Sequence, residues 1–221
     1  MENWKAKFPK ENRYFETENG ILYLGDCLEI IKKFPDEVVD LIFTDPPYGR
    51  KWIHLYWKTA EASERILKRS GFAVYYMSNY WLDKIFPLML RHLNYFYVYW
   101  CRTPQSVSLF PKKVFARGKL LCAFVKGGGM AKRWHANEFL YKKEKRHRDD
   151  NWEQPVEEAE YFVTAFTDEE DLVLDFFLGS GTTAVACEKL NRRWVGIEIE
   201  EKYCEMAAKR ISEVLDEKKS S

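Results

Sequence analysis

The sequence predicts an α/β fold in three layers, in which helices cover both faces of a seven-stranded, mostly parallel β-sheet. Short apolar runs rich in β-branched and aromatic residues alternate with segments of helical periodicity, the pattern of a parallel sheet. The segment between the fourth and fifth runs, residues 103–119, shows no clear helix, so these two strands can pair antiparallel. The seven predicted strands are residues 21–25, 40–44, 71–77, 95–101, 120–126, 171–176 and 194–199.

Six predicted helices accompany these strands. The third carries Leu82, Ile85, Phe86 and Met89 at three- and four-residue spacing. These side chains share one face, so this helix is expected to cover the sheet. The predicted helices are residues 27–34, about 56–68, 81–91, 155–166, 182–190 and 200–215.

Size and composition favour a single domain over residues 1–221. The chain has 221 residues, 46% of them hydrophobic, which is enough to bury a substantial core. No apolar run reaches the roughly 18–20 residues of a membrane span, and the N-terminus lacks a signal-peptide core. The sequence therefore predicts a soluble cytoplasmic protein with no membrane partner.

The cysteines are scattered through mostly apolar segments and form no C-x-x-C pair. This arrangement favours buried free thiols over a disulfide framework or a zinc site. His54 and His92 lack metal-ligand spacing and are interpreted as structural, so no metal site is predicted. The cysteines are Cys27, Cys101, Cys122, Cys187 and Cys204.

A rigid turn, TDPPYG, follows the second predicted strand at residues 44–49. Two consecutive prolines can neither continue a central strand nor enter a helix interior, so they fix the backbone where the sheet ends. The turn places the carboxylate of Asp45 directly before the prolines and the ring of Tyr48 directly after them. A turn that merely ends a strand is the structural alternative.

The sixth predicted strand ends in a glycine-rich turn, DFFLGSGTT, at residues 175–183. Gly179 and Gly181 allow backbone N–H groups to approach a ligand, and the start of the following helix favours a carboxylate or phosphate. The seventh strand ends in Glu198, which is well placed to accept hydrogen bonds from both hydroxyls of a ribose. A tight βα turn followed by a solvated acid is the alternative. The chain has no P-loop motif, which disfavours ATP hydrolysis.

Taken together, the two turns resemble the motifs of the S-adenosylmethionine-dependent DNA amino-methyltransferases. DPPY after a strand, and D-x-F-x-G-S-G-T-T followed by G-I-E, carry the resemblance, which covers residues 20–215. Since DPPY precedes the glycine motif, the chain is similar to the β class, whose motif order is circularly permuted. The resemblance implies a Rossmann-like sheet of seven strands with one antiparallel strand. It also implies that Asp45 and Gly179 face one pocket.

This family resemblance implies methyl transfer to the exocyclic N6 amine of an adenine flipped out of double-stranded DNA. The Asp45 side chain and the Pro46 carbonyl would accept the two N–H hydrogens of the amine. The rigid Pro46-Pro47 step would fix the direction of that carbonyl, and Tyr48 would offer its ring to the base.

Cofactor-binding residues also follow from the resemblance. Asp26 is similar to the acid that contacts the adenine ring of the cofactor; a cap for the helix that follows is the alternative, and one carboxylate can serve both roles. Gln154 stands before Pro155 where the family commonly has lysine, so the backbone at 180–183 is the expected partner of the methionine carboxylate. The predicted cofactor-binding residues are Asp26, Cys27, Asp45, Gln154, Pro155, Asp175, Phe176, Gly179, Ser180, Gly181, Thr182, Thr183 and Glu198.

A basic segment at residues 127–150 is the predicted target-recognition insert. Between Lys126 and Arg148, eight basic residues stand against two acidic ones, in a chain whose net charge is only +1. Cations bind phosphates, and interleaved aromatic and polar side chains can contact bases. A solvated surface loop is the alternative. The predicted DNA-binding residues are Lys112, Lys113, Arg117, Lys132, Arg133, Trp134, His135, Asn137, Lys142 and Lys143.

Several functions and partners stay open on the sequence alone. Methylation of cytosine N4 uses the same chemistry as methylation of adenine N6, and an RNA adenine methyltransferase is a second alternative. A non-catalytic nucleic-acid binder that keeps the fold is a third. A homodimer and a cognate restriction endonuclease are further candidate partners.

Overall fold

The computed structural model describes residues 3–109, 113–141 and 155–220. Within these ranges, no helix combines the length and the apolar character needed to cross a bilayer. The strands are β1 (Arg13–Glu16), β2 (Gly20–Leu24), β3 (Val39–Thr44), β4 (Leu67–Met77), β5 (Asn94–Leu109), β6 (Val114–Val125), β7 (Glu138–Leu140), β8 (Leu172–Asp175) and β9 (Arg193–Glu198). The α-helices are α1 (Cys27–Ile30), α2 (Ile53–Ile66), α3 (Leu82–Met89), α4 (Val156–Phe166), α5 (Thr182–Lys189) and α6 (Glu201–Ser220).

All of these strands belong to one sheet, in the order β1-β2-β9-β8-β3-β4-β6-β5-β7. The strand β6 runs antiparallel to both of its neighbours, and β1 runs antiparallel to β2. The other neighbours pair in parallel. The predicted α/β class, the mostly parallel sheet and the antiparallel pairing of the fourth and fifth predicted strands are therefore confirmed.

The described sheet has nine strands rather than the seven predicted. Its two outermost strands, β1 and β7, were missed. Every residue of β1 is at least partly exposed, and β7 has only three residues, two of them exposed. A short edge strand lacks the apolar run or regular alternation on which sequence-based strand assignment depends.

The segment predicted to be an irregular connection, residues 103–119, mostly extends β5 and β6 as a long hairpin. The pairing runs from Arg102 opposite Gly118 to Leu109 opposite Val114, with an irregularity after Arg102. Another predicted element is shorter than expected, because the helix at 27–34 is a single α-helical turn followed by a 3-10 turn, Ile31–Lys33.

Two apolar clusters, one on each face of the sheet, form the core. One cluster joins Ile42 and Phe124 of the sheet to residues of α1, α2 and α3. The other joins Phe43 and Leu121 to residues of α4, α5 and α6. In α3, Ile85 and Met89 are buried, as the predicted helix face requires. The core therefore lies between the sheet and the helices on each of its faces, as the predicted three-layer arrangement requires.

The five cysteines are all buried and free, which confirms the prediction made from their scattered positions. Burial raises the pKa of both Cys27 and Cys122 to about 12. These two thiols therefore stay protonated near neutral pH.

Candidate active site

The DPPY turn and the glycine turn leave adjacent strands at the same edge of the sheet. Leu41 and Ile42 of β3 pair in parallel with Val173 and Leu174 of β8. The carboxyl ends of parallel neighbours lie together, and this is where doubly wound sheets bind ligands. About 130 residues of sequence separate the two turns, yet the topology brings them side by side, as the resemblance implied.

A buried carboxylate, Asp175, joins the two turns. Its Oδ1 accepts hydrogen bonds from the Thr44 hydroxyl at 2.7 Å and the Phe177 amide at 3.0 Å. Its Oδ2 accepts a hydrogen bond from the Thr183 hydroxyl at 2.7 Å. Burial raises the pKa of Asp175 to about 6, although the hydrogen bonds oppose this shift. Asp175 therefore fixes the end of β3 against the start of α5.

We expect Asp175→Asn to flatten the pH dependence of the unfolding free energy between about pH 4 and pH 6. Because the folded pKa of about 6 lies above the ordinary value of 3.8, the folded protein binds the extra proton in this window. The contribution of Asp175 to stability is thus greatest at low pH and declines by up to ~3 kcal/mol as the pH rises through 6. Asparagine carries no charge to desolvate and keeps an acceptor for Thr44. Urea denaturation of the wild type and of Asp175→Asn across this pH range measures how steeply the unfolding free energy of each protein changes with pH. Equal slopes in the two proteins would contradict the raised pKa of Asp175.

The glycine turn is held by Glu198 at the end of β9. One carboxylate oxygen of Glu198 accepts a hydrogen bond from the Gly179 amide at 2.8 Å. The other accepts from the amides of Ile199 and Glu200, each at 2.8 Å. A carboxylate has about four acceptor positions, so Glu198 retains about one for a ligand. The Gly181 amide donates to the Leu178 carbonyl at 3.0 Å, which shapes the turn itself.

Gly181 has both a backbone and a packing requirement for glycine. Its φ is +89°, and an added Cβ would lie 2.9 Å from the Cβ of Ala207 in α6. We expect Gly181→Ala to reduce the unfolding free energy by about 2–4 kcal/mol, from left-handed strain plus overpacking. Gly179→Ala is the matched control, because Gly179 has φ +55° and open space around its Cβ position. This control should lose about 1 kcal/mol. Urea denaturation separates the two, and similar losses would show that the contact with α6 is unimportant.

A cavity of about 1090 Å³ opens at this edge of the sheet. The DPPY turn contributes Asp45 and Pro47 to its lining, and the glycine turn contributes Gly179. Helices α1 and α2 form further walls. Six of the predicted cofactor-binding residues line the cavity: Asp26, Cys27, Asp45, Phe176, Gly179 and Glu198. Asp26 also caps α1, since its carboxylate accepts a hydrogen bond from the Leu28 amide at 2.8 Å.

Other predicted cofactor-binding residues lie behind the lining. Asp175 and Thr183 are hydrogen-bonded to each other. Arg210 of α6 donates hydrogen bonds to the Ser180 carbonyl at 2.7 Å and to the Thr182 hydroxyl at 3.4 Å. Sequence reasoning missed Arg210 and the aromatic walls, because single residues in a helix or loop carry no spacing signal. Gln154 lies outside the described residues. The aromatic lining residues that were missed are Trp52, Phe177 and Tyr203.

In the DPPY turn, the carboxylate of Asp45 accepts a hydrogen bond from the hydroxyl of Tyr48. The Tyr48 hydroxyl donates to Asp45 Oδ1 at 2.6 Å, and Tyr48 keeps 51% of its surface exposed. Pro46 is buried, and Pro47 is partly buried. The turn thus presents a partly buried acid and an exposed ring from a rigid backbone.

A cluster of polar side chains lies beside the DPPY turn and is centred on Glu158 of α4. Glu158 is fully buried and accepts hydrogen bonds from the hydroxyls of Tyr76, at 2.7 Å, and Tyr141. Lys119 of β6 lies 3.6 Å from the Glu158 carboxylate. Burial, together with the Glu158 charge, raises the pKa of Tyr76 well above its usual value. The cluster ties the end of β7 to the centre of the sheet.

In the predicted recognition insert, several residues have partners within the chain. Arg133 donates to the carbonyls of Thr164 and Thr167 at 2.8 and 2.6 Å, and both Arg133 and Lys132 pair with Asp168. The ring of His135 is partly buried and stacks on the ring of Tyr99. A DNA contact by Arg133 would therefore compete with these contacts.

The remaining predicted DNA-binding residues divide into two groups. Trp134 and Asn137 are exposed on the insert, and Lys113 and Arg117 are exposed on the β5–β6 hairpin. Three predicted residues lie outside the described parts of the chain: Lys112, Lys142 and Lys143.

Comparison with known proteins identifies the family. A sequence model described as DNA methylase, for N6 and N4 methyltransferases, matches residues 39–209. The chain is 27% identical to the type II methyltransferase M.BamHI of Bacillus amyloliquefaciens, over 93% of this chain and 60% of that protein. It therefore spans less than two thirds of the length of this relative.

Two solved structures are similar to this fold. The cytosine-N4-specific PvuII DNA methyltransferase matches with a TM-score of 0.77 and 20% identity, covering 94% of each chain. The M1.HpyAVI–SAM complex matches with a TM-score of 0.71 and 25% identity, covering 87% of this chain and 98% of that one. With the family match over most of the chain, the protein belongs to the N6/N4 DNA methylase family, whose methyl donor is S-adenosylmethionine.

Proposed function

We propose that this protein is a DNA adenine-N6 methyltransferase, which moves a methyl group from S-adenosylmethionine to the exocyclic amine of a flipped adenine. The observation that supports this most strongly is the shared cavity. Asp45 and Pro47 of the DPPY turn line the same space as Gly179 and Glu198. The proposed amine acceptor and the proposed cofactor-binding turn would therefore lie at one edge of the sheet.

The cavity suits the proposed cofactor in size and chemistry. Its volume, about 1090 Å³, lies slightly above the range of about 300–1,000 Å³ that is typical of ligand sites. S-adenosylmethionine supplies an electrophilic methyl group on a positively charged sulfur. The acids Asp26 and Glu198 would contact the adenine and ribose groups, with about one free acceptor position remaining on Glu198. Phe176 would pack against the nucleoside.

The DPPY turn would act by accepting hydrogen bonds from the amine. The nitrogen of an exocyclic amine is a weak nucleophile, because its lone pair is delocalised into the ring. Asp45 and the Pro46 carbonyl would accept its two N–H groups and so return electron density to the nitrogen. The rigid Pro46-Pro47 step holds these acceptors in place before the substrate arrives, which makes the stabilisation effective. The ring of Tyr48 would stack on the target base.

The DNA would lie along the edge of the sheet that carries both turns. A base inside a duplex cannot reach Asp45, so it must be flipped out at a cost of about a few kcal/mol. Exposed Lys113, Arg117, Trp134 and Asn137 are the described candidates for phosphate and base contacts. A homodimer and a cognate restriction endonuclease are further proposals, the latter because M.BamHI is a type II methyltransferase.

Cytosine N4 is the alternative target. Its amine presents the same two N–H groups to Asp45, and the similar PvuII structure is cytosine-N4-specific. Asp45 favours adenine as the target base, because enzymes of the similar family that carry serine at this position more often methylate cytosine.

One assay tests the proposed function directly. The protein is incubated with labelled S-adenosylmethionine and unmethylated double-stranded DNA, with RNA as a parallel substrate, and the products are digested to nucleosides. Mass spectrometry should detect N6-methyldeoxyadenosine in the digested DNA and no methylated adenosine in the digested RNA. N4-methyldeoxycytidine would establish the alternative, and methylated RNA without methylated DNA would overturn the assignment of DNA as substrate.

A further inference from the structure

The β5–β6 hairpin projects beyond the edge of the sheet that carries the DPPY turn. Leu120 of β6 pairs with Met77, the last residue of β4. Because β6 runs antiparallel to β4, residues 114–119 continue past the carboxyl end of β4. At about 3.3 Å per residue, these six residues extend about 20 Å.

The base of this projecting hairpin lies close to Asp45, and Phe115 lies about 17 Å farther out, five residues along β6 from Leu120. Thr44 of β3 pairs in parallel with Tyr75 of β4, and β6 is the next strand in the sheet. Two strand spacings separate β3 from β6, a lateral distance of about 10 Å. A duplex that delivers a base to Asp45 would therefore lie against the hairpin.

The end of the hairpin presents an exposed aromatic side chain among cations. Phe115 keeps 72% of its surface exposed. Lys113 is exposed at the turn, and Arg117 is exposed two residues after Phe115. Alternation along the strand places Phe115, Arg117 and Lys119 on the same side. Lys119 approaches Glu158 and the ring of Tyr141, so Phe115 faces the side of the sheet on which Glu158 and Tyr141 lie.

We propose that Phe115 enters the base stack of the duplex beside the flipped base, an inference that rests on the proposed function. Flipping removes one base from the stack and leaves its neighbours without a partner. An apolar side chain inserted between base steps fills such a gap, and an aromatic ring stacks on the bases that remain. Lys113 and Arg117 bind the phosphates on either side and hold the hairpin against the strand.

The test compares Phe115→Ala with Phe115→Trp and with the neighbouring control Val114→Ala, which points to the opposite side of the strand. The wild-type protein first methylates unmethylated plasmid DNA, and sequencing of the product maps the site. Two short duplexes with this site are then made, one fully paired and one with the target base mismatched. The kcat/KM of each variant is measured on both, and S-adenosylmethionine binding serves as the folding control.

On the paired duplex, we expect Phe115→Ala to lose about ten- to a hundredfold in kcat/KM. On the mismatched duplex, whose target base is already unstacked, the loss should be less than about threefold. Phe115→Trp should retain activity on both, and Val114→Ala should resemble the wild type.

Several results would overturn the role of Phe115. An equal loss on both duplexes, or no loss on either, would contradict insertion into the stack. An equal loss accompanied by a shift from dimer to monomer would assign Phe115 to a protein interface instead. A wild-type protein that methylates no DNA would contradict the proposed function itself, whereas an active wild type with the wrong variant pattern contradicts only this inference.

Discussion

Replacing Asp45 by alanine is expected to reduce methyl transfer by about 10²–10⁴-fold. Asp45 is the side-chain acceptor that the proposed mechanism places on the amine, and it lines the cavity together with Gly179 and Glu198. The contacts that would hold the nucleoside, at Asp26 and Glu198, remain in this variant. S-adenosylmethionine should therefore bind within a few-fold of the wild type. Single-turnover methylation and equilibrium dialysis measure the two quantities separately.

Tyr48→Phe is the matched control for Asp45→Ala. It removes the hydroxyl that donates to Asp45 Oδ1 at 2.6 Å and keeps the ring. Because the ring and the carboxylate both remain, the expected loss is at most about tenfold, corresponding to one hydrogen bond. Wild-type rates in Asp45→Ala, or loss of cofactor binding equal to the loss of rate, would contradict the role assigned to the carboxylate.

Glu158→Ala is expected to destabilise the protein by about 3–5 kcal/mol, the cost of breaking a buried ion pair. Glu158 is fully buried, and its removal leaves the hydroxyls of Tyr76 and Tyr141 and the ammonium of Lys119 without this acceptor. The loss should fall toward the lower end of this range, since Lys119 keeps 29% of its side chain exposed. Urea denaturation at neutral pH measures the change.

The adjacent acid provides the control. Glu157 precedes Glu158 on α4 and is exposed, so Glu157→Ala should change the unfolding free energy by less than about 0.5 kcal/mol. Glu158→Gln should fall between the two alanine variants, because it keeps one acceptor and loses the charge. If the two alanine variants had the same denaturation midpoint, the buried cluster would not contribute to stability.

The central strands and both turns were predictable from sequence. The run LIF at 41–43 and the run LVL at 172–174 are buried in the sheet, so each shows as continuous apolar sequence. The prolines at 46 and 47 and the glycines of 175–183 mark the turns by local conformational requirements. Local signals of this kind do not depend on knowing the partner strand, which explains why they were sufficient.

The contacts that fix the site were not predictable, because they depend on single polar residues far apart in sequence. Glu157 and Glu158 look alike at the start of α4, yet only Glu158 turns inward to Lys119. Asp175 has the position of a cofactor contact, but its oxygens bond to Thr44 and Thr183. Nothing in a one-dimensional pattern shows which of two acids is buried.

A crystal structure of the protein with S-adenosylmethionine would test the central claim most directly. We expect the ribose to lie against Glu198 and the sulfonium methyl to point toward the carboxylate of Asp45. A nucleoside bound on the other face of the sheet, or a methyl group directed away from Asp45, would show that the two turns do not form one active site.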